Sequence, residues 1–396
     1  MRGTVKQILQ ARYVYDGLGD ELREHTAILV DGDRIGELGP PEQLRRKHPD
    51  ATLVDLGDRT LLPGLVDAHV HLFLNGGTTL GDRAYRAQAN AMRCLRAGLT
   101  TVRDLGTVDD TVFDLKAAID RGDVPGPRIV PAGAAIAMTG GHAHGHVSTS
   151  ADGVDGVTRA ARQQLSKGAQ VIKLIASGGA IGQHEHFTAT QLTVEELQAG
   201  VAVAHRAGRR ACVHTLNDQG AQNALAAGAD SIEHTPLMSD ETLERLVSSG
   251  TTLVPTLGVY RAISERGAEN GVPDYGIKAA TEVTQRMIEV FEKAVARGVR
   301  LVFGTDGGPA WLPVGDIGLD LRIWSEAGVP AAGILAAITR DAAALLQLQD
   351  EVGTLRTGHA ADVVAVDGDV LHDILTLERP AFVMKGGVAV HRAEFG

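Results

Sequence analysis

Through the middle of the chain, short apolar runs alternate with longer stretches in which apolar residues recur every three or four positions. LLPGLVDAHVHL (residues 61–72) leads to AYRAQANAMRCLRAG (84–98), TTVRDLG (100–106) to TVFDLKAAIDRG (111–122), and RIVPAG (128–133), past a His/Gly-rich loop, to DGVTRAARQQLSKG (155–168). VIKLIASGG (171–179) leads to TVEELQAGVAVAHRAG (193–208), ACVHT (211–215) to DQGAQNALAAG (218–228), and SIEHT (231–235) to SDETLERLVSSG (239–250). TLVPTL (252–257) leads to KAATEVTQRMIEVFEKAVARG (278–298), and RLVFGTDGG (300–308) to ILAAITRDAAALLQL (334–348). The runs predict strands and the periodic stretches helices. Most of the helices close on a glycine just before the next strand. Eight such units over roughly 290 residues predict a (β/α)8 TIM-type barrel, a fold for which about 250 residues is typical. An open doubly wound sheet is the second possibility, weakened because no GxGxxG or GxxxxGK[ST] loop follows an early strand.

The two ends of the chain differ in texture. Residues 1–58 alternate β-like runs (VKQILQARYVY, HTAILVDGDRIGELG, ATLVDLG) with Gly and Asp turn signals, and a helical period shows only near Glu42 to Lys47. The tail reads the same way in DVVAVDGD and FVMKGGVAV. Residues 1–58 and 350–396 are therefore expected to form one β-sandwich domain from both termini, with the barrel spanning 59–349.

Composition narrows the function classes. A chain of 396 residues that is 44% hydrophobic can bury a large core, and its net charge of -11 gives no general attraction to nucleic acid or to an anionic membrane. Cys94 and Cys212 are the only cysteines, which argues against a disulfide framework or a thiolate zinc site and fits a reducing cytoplasm. The N-terminal segment mixes charges into its apolar residues and is not expected to be a signal peptide, and no run is long enough to predict a membrane span. A small molecule is the expected partner, in a homo-oligomer.

In a barrel the chemistry lies at the C-terminal strand ends. His69 and His71 stand two residues apart in DAHVHL, so both imidazoles leave the same strand face and can share one metal ion. At corresponding ends stand Lys173 in VIKL, His214 in CVHT, His234 in IEHT and Asp306 in GTDGG. Taken singly, His234 reads equally as a satisfied core histidine and Asp306 as a helix N-cap. Together they place nitrogen and oxygen donors, suited to Zn, Mn or Fe, at one mouth. Lys173 is the anomaly, because a lysine inside an apolar strand is costly unless it is paired or chemically changed.

At this point the chain resembles the metal-dependent amidohydrolase superfamily over nearly its whole length. PGLVDAHVH looks like that family's first-strand metal motif and GTDGG like its last-strand aspartate. The resemblance implies two divalent metal ions, zinc by preference. His69 and His71 would bind the more buried ion and His214 and His234 the more exposed one. Asp306 would contact the buried ion and shuttle protons, and Lys173, carboxylated by carbon dioxide, would bridge the two. The implied activity is hydrolysis of a C–N amide bond of a dipeptide or N-acyl amino acid by a metal-bridging hydroxide. Opening of a hydantoin, dihydropyrimidine or imidazolone ring is the alternative. A non-catalytic barrel is disfavoured because all six ligands are present. Deamination is disfavoured because Asn217 stands where deaminases of this superfamily carry a glutamate, and an amide is no general acid.

The phrases AMTGGHAHGH, KLIASGG and PTLGVY are similar to the prolidase-like and imidazolonepropionase-like subgroup, whereas AIGQHEHFTATQLT departs from it. Candidate substrate-binding residues are His142 and His144, with His146, in the glycine-rich loop after the third strand, and Tyr260 and Arg261 after the seventh. His184 and His186 follow the fourth strand. Arg261 to Tyr275 reads as an unusually long connection, expected to act as a lid. His359, like His25, His48, His372 and His391, is expected to face solvent.

Overall fold

The computed structural model describes residues 5–74, 77, 79–180, 186–234 and 237–393. The N-terminal segment comprises β1 (Lys6–Gln10), β2 (Tyr13–Val14), β3 (Arg23–Glu24), β4 (Ala27–Asp31), β5 (Arg34–Gly39), α1 (Pro41–Lys47), β6 (Thr52–Asp55) and β7 (Arg59–Pro63). Next come the strands β8 (Leu65–Val70), β9 (Leu99–Asp104), β10 (Arg128–Pro131), β11 (Ala135–Ala137), β12 (Ser148–Ser150), β13 (Val171–Ile175), β14 (Arg210–His214), β15 (Ser231–Glu233) and β16 (Thr252–Val254). Interleaved with and following them are α2 (Leu80–Arg96), α3 (Thr111–Arg121), α4 (Gly153–Lys167), α5 (Val194–Arg206), α6 (Asp218–Ala227), α7 (Asp240–Ser249), α8 (Leu257–Arg266), α9 (Asp274–Ala296), α10 (Gly318–Glu326), α11 (Ala331–Ile338) and α12 (Arg340–Leu345). The chain closes with β17 (Val363–Asp367), β18 (Phe382–Lys385) and β19 (Val388–Arg392).

The middle of the molecule is parallel α/β. β8, β9 and β10 form one parallel ladder, and β11, β13, β14, β15 and β16 a second, with β12 on its edge. The third run joins the two, because Gln170 N donates to Pro131 O at 2.8 Å and Ile136 pairs with Leu174. Residues 300–307 carry the ladder on: Leu253 N donates to Arg300 O at 2.9 Å, Ala68 N to Phe303 O at 3.1 Å and Asp306 N to His69 O at 2.8 Å. Parallel bonding therefore passes from β8 through every run and returns to β8. Continuous apolar sequence is what such strands require when both faces are covered, and β8, β9 and β13 are buried at every position.

Strands from both termini share one sheet, in the order β19-β18-β17-β7-β2-β3, while β5-β4-β1-β6 form another. Leu9, Val14 and Ile28 from the N-terminal segment pack in one cluster with Val363 and Phe382 from the C-terminal strands. Among the described residues no helix is long and apolar enough to cross a membrane.

Three expectations are corrected here. The segment from Arg261 to Tyr275 is not a loop: α8 runs to Arg266, a 3-10 turn covers Ala268–Asn270, and Asp274 and Tyr275 open α9. Gly267 is a site of close approach, where an added Cβ would lie 2.3 Å from Ile263 O. The last β/α unit carries an extra helix, α10, and its expected single helix is divided at Thr339 into α11 and α12. His359 is buried, bonded to Thr354 Oγ1 at 3.1 Å and to Arg356, rather than facing solvent.

Candidate metal centre

His69 lies within β8 and His71 one residue beyond it, both with Nε2 turned to Asp306 Oδ1, at 3.3 Å and 3.1 Å. One ligand atom from each of the three lies within 4.8 Å of the others. The His234 ring lies 5.2 Å from that of His69 and 4.4 Å from that of His214. His214 ends β14, and Lys173 sits in β13 opposite Cys212. The amine of Lys173 and Nε2 of His214 are both buried, and neither has a hydrogen-bond partner among the described residues.

The backbone is bent to assemble this group. Six described non-glycine residues have positive φ, and four of them, Ala143, His234, Thr256 and Asp306, stand at this mouth. Each such conformation costs about 1–3 kcal/mol, and persists where the surrounding structure imposes it. Hydrogen bonds supply that constraint. The Nδ1–H of His69 donates to Glu233 Oε2 at 2.9 Å, which fixes the tautomer and leaves the Nε2 lone pair facing Asp306. Glu233 Oε1 in turn accepts from Arg103 at 2.8 Å and Ser231 Oγ at 2.6 Å, and Arg103 also donates to Ala68 O at 2.5 Å. Nδ1 of His234 bonds to Thr256 Oγ1 at 2.7 Å. Asp67 accepts from His69 N, Thr305 N and Thr305 Oγ1, stapling β8 to the segment that carries Asp306.

Electrostatics sorts these groups into ligands. Burial holds His69 and His214 well below the ordinary imidazole range and brings His234 down to about 3, so all three offer neutral lone pairs at pH 7. Burial also lowers Lys173 from the usual lysine value, favouring the neutral amine. Burial opposes ionisation of Asp306, but the histidines facing it, with His71 hydrogen-bonded through Nε2 at 3.1 Å, outweigh it and hold the carboxyl below the carboxylate range. The result is a buried set of nitrogen and oxygen donors with two unpartnered nitrogens. That chemistry fits divalent cations, and a cation with its ligands deprotonated is what would satisfy the orphaned groups.

A cavity of about 440 Å³ opens over the cluster, lined by His71, His214, His234 and Asp306. His142 and Tyr260 are brought to it: the His142 ring stacks on His214 at 4.4 Å and Tyr260 lies edge-on to His234 at 5.9 Å. His146 also lines it. His144 is not brought in, being exposed and bonded to Ser150 Oγ at 2.9 Å. Arg261 points elsewhere and pairs with Glu326 at 3.3 Å. His186 is exposed, and His184 lies outside the described residues. Asn217, three residues past His214, caps α6 by accepting from Gly220 N at 2.7 Å while its amide donates to Phe187 O at 2.8 Å. Sequence reasoning missed Glu233, Arg103, Thr256 and Asp67. The signal for the first two was in view, since SIEHT and TVRDLG each put a charge inside an apolar run, as VIKL does.

Comparison with known proteins gives the chain's relatives. Residues 60–390 match the profile described as "Amidohydrolase family", and residues 27–51 match one described as "Imidazolonepropionase-like composite domain, bacteria". Ochratoxinase of Aspergillus niger is 28% identical over 419 aligned positions, covering 96% of this chain and 85% of that protein. The crystal structure of a Xaa-Pro dipeptidase with bound methionine in the active site superposes with a TM-score of 0.87 at 30% identity, over 97% of this chain and 99% of that one. That of a prolidase complexed with N-methylphosphonate-L-proline gives 0.90 at 29% identity, over 98% and 100%.

Proposed function

The chain belongs to the amidohydrolase family, and from that premise we propose that it is a metal-dependent hydrolase cleaving the C–N amide bond of a small dipeptide or N-acyl amino acid. The scaffold in this reading is a closed (β/α)8 barrel flanked by a β-sandwich from both termini. The observation that carries the proposal is the buried, unpartnered pair of Lys173 Nζ and His214 Nε2 beside the His69–His71–Asp306 trio. His69, His71 and Asp306 would hold one zinc ion and His214 and His234 a second. Lys173, as its neutral amine, would add to carbon dioxide and release one proton to solvent, giving a carbamate anion that could serve as a further ligand to the bound ions. Bound divalent ions would polarise the scissile carbonyl and acidify the attacking water.

The chain's own groups then do the positioning and the proton transfer. Asp306, ionised and hydrogen-bonded by His71, accepts the proton of the attacking water and delivers it to the leaving nitrogen. Tyr260 keeps its phenolic proton because burial raises it well above the usual range, so it can donate a hydrogen bond to the substrate's acyl or carboxylate oxygen. His142, stacked on His214 in the cavity wall, can donate to the carbonyl oxygen.

The test is turnover of N-acyl amino acids, dipeptides and cyclic amides by the zinc-loaded protein. Expected is metal-dependent hydrolysis of a linear amide, abolished in His69→Ala and reduced by about 10²–10⁴ in Asp306→Asn. Hydrolysis that survives both substitutions, or no turnover of any C–N bond, would overturn it. Preferential opening of the cyclic amides would instead make the chain a cyclic amidohydrolase.

A further inference from the structure

The cavity over the cluster has a second wall that the proposed chemistry does not use. α8 contributes Val259 and Ile263, four residues apart and so on one helix face, with Tyr260 beside them. Pro309 and Trp311, from the segment that follows Asp306, continue the same lining. The surface is fixed in place: Arg266, in the last turn of α8, donates to Trp311 O at 3.4 Å and to Asp316 at 2.7 Å. Leu312 N donates to Pro309 O at 3.1 Å in the turn that presents Trp311, and the Leu312 side chain is fully buried.

No lysine or arginine lines the cavity among the described residues, and residues 75, 76, 78, 181–185, 235 and 236 include neither in the sequence. The one basic side chain adjacent in sequence to Tyr260, Arg261, is engaged by Glu326. An acidic substituent entering this space would shed its water with no lysine or arginine at the wall, and a basic one would find the carboxylate of Asp306 already engaged by His69 and His71, whereas an apolar one removes apolar surface from water on both sides.

Resting on the amide-hydrolase reading, we infer that the substrate carries a large uncharged aryl or branched-alkyl group, seated against Val259, Ile263 and Trp311. Tyr260 also fixes where on the substrate that group lies. It lines the cavity together with Val259, Ile263 and Trp311 and lies edge-on to His234 at 5.9 Å, so the group is attached next to the scissile amide rather than at a remote end. Trp311 is the specificity-determining residue of this wall, because it is the largest side chain of the apolar lining and is only half-buried.

The experiment uses the full-length zinc-loaded protein and N-acetyl amino acids that share one amide and one carboxylate but carry Gly, Asp, Lys, Leu or Phe side chains. A parallel pair, N-phenylacetylglycine and N-acetylglycine, puts the aryl group on the acyl side. Expected is a kcat/KM at least 100-fold higher for the aryl or leucyl member than for its Gly, Asp and Lys counterparts, on one side of the amide. Trp311→Ala should cut that ratio at least tenfold, and Trp311→Phe should restore most of it. Asp or Lys substrates turned over as fast as Phe would overturn the inference, as would a ratio unchanged in Trp311→Ala. If no amide is cleaved at all, the hydrolase reading fails separately, and calorimetric binding decides the wall. N-acetylphenylalanine binding at least tenfold tighter than N-acetylaspartate would uphold it, and equal or absent binding would sink it.

Discussion

At the residue scale, the informative positions are polar groups inside apolar strands. Lys173 is 3% exposed and has no acceptor among the described residues, a state that is costly for an ammonium and suited to a metal ligand. Lys173→Met should lower bound zinc from two equivalents to one, read by elemental analysis of the dialysed protein. Unchanged stoichiometry would remove Lys173 from the centre. Glu233 sits one step behind, holding His69 with one oxygen and Arg103 with the other. Glu233→Gln should weaken metal affinity by about 10–100-fold and, by stripping Arg103 of its counter-charge, cost about 3–5 kcal/mol in denaturant unfolding. Full retention of both would show that the Arg103–Glu233 pair is not what orients His69. Five of the six candidate ligands were legible because they stand at or beside strand ends, and Lys173 because it is a charge inside an apolar run. Glu233 and Arg103 carry that same signal but belong to no metal motif, and only the pairing of β9 with β8 and of β15 with β14 shows where they go.

At the element scale, α8 is the piece the sequence concealed. Its C-terminal half falls within the stretch from Arg261 to Tyr275 that reads as a long connection, and Gly258, in its first turn, is needed for packing. Its N–H donates to Asp320 Oδ1 at 2.9 Å, and a Cβ there would lie 2.1 Å from Asp320 Oδ2. Burial raises the Asp320 carboxyl well above its ordinary value of 3.8, so the folded state keeps a proton that the unfolded chain releases. The sign follows: stability is greatest below the unfolded value and falls as pH rises from about 4 toward the higher folded value. Asp320→Asn retains the acceptor without the titration, so unfolding free energy should decline less from pH 5 to 8 than in the parent; equal slopes would show that Asp320 does not hold its proton. The parallel units themselves were readable from period alone. The join of β10 and β11 and the strand-like bonding of residues 300–307 were not, since both depend on which neighbour supplies the hydrogen bonds.

At the scale of the whole molecule, the cluster ties the chain together from β8 to the segment carrying Asp306, and the sheet shared by both termini closes the ends. Ligands that bind only the folded state stabilise it by mass action, so removal of metal by a chelator should lower the melting temperature, and added zinc should restore it. A melting temperature indifferent to both would separate the cluster from any resident ion. The common sheet was legible because both ends alternate apolar and polar residues with Gly and Asp turns. The parallel pairing of β2 with β7 within it was not, because sequence spacing alone does not choose a strand's partner. The most direct measurement is a crystal structure of the zinc-loaded protein, read at the tip of Lys173. A carboxylated lysine bridging two ions, one on the His69 and His71 side and one on the His214 and His234 side, is the predicted result; an unmodified amine beside a single ion would contradict it.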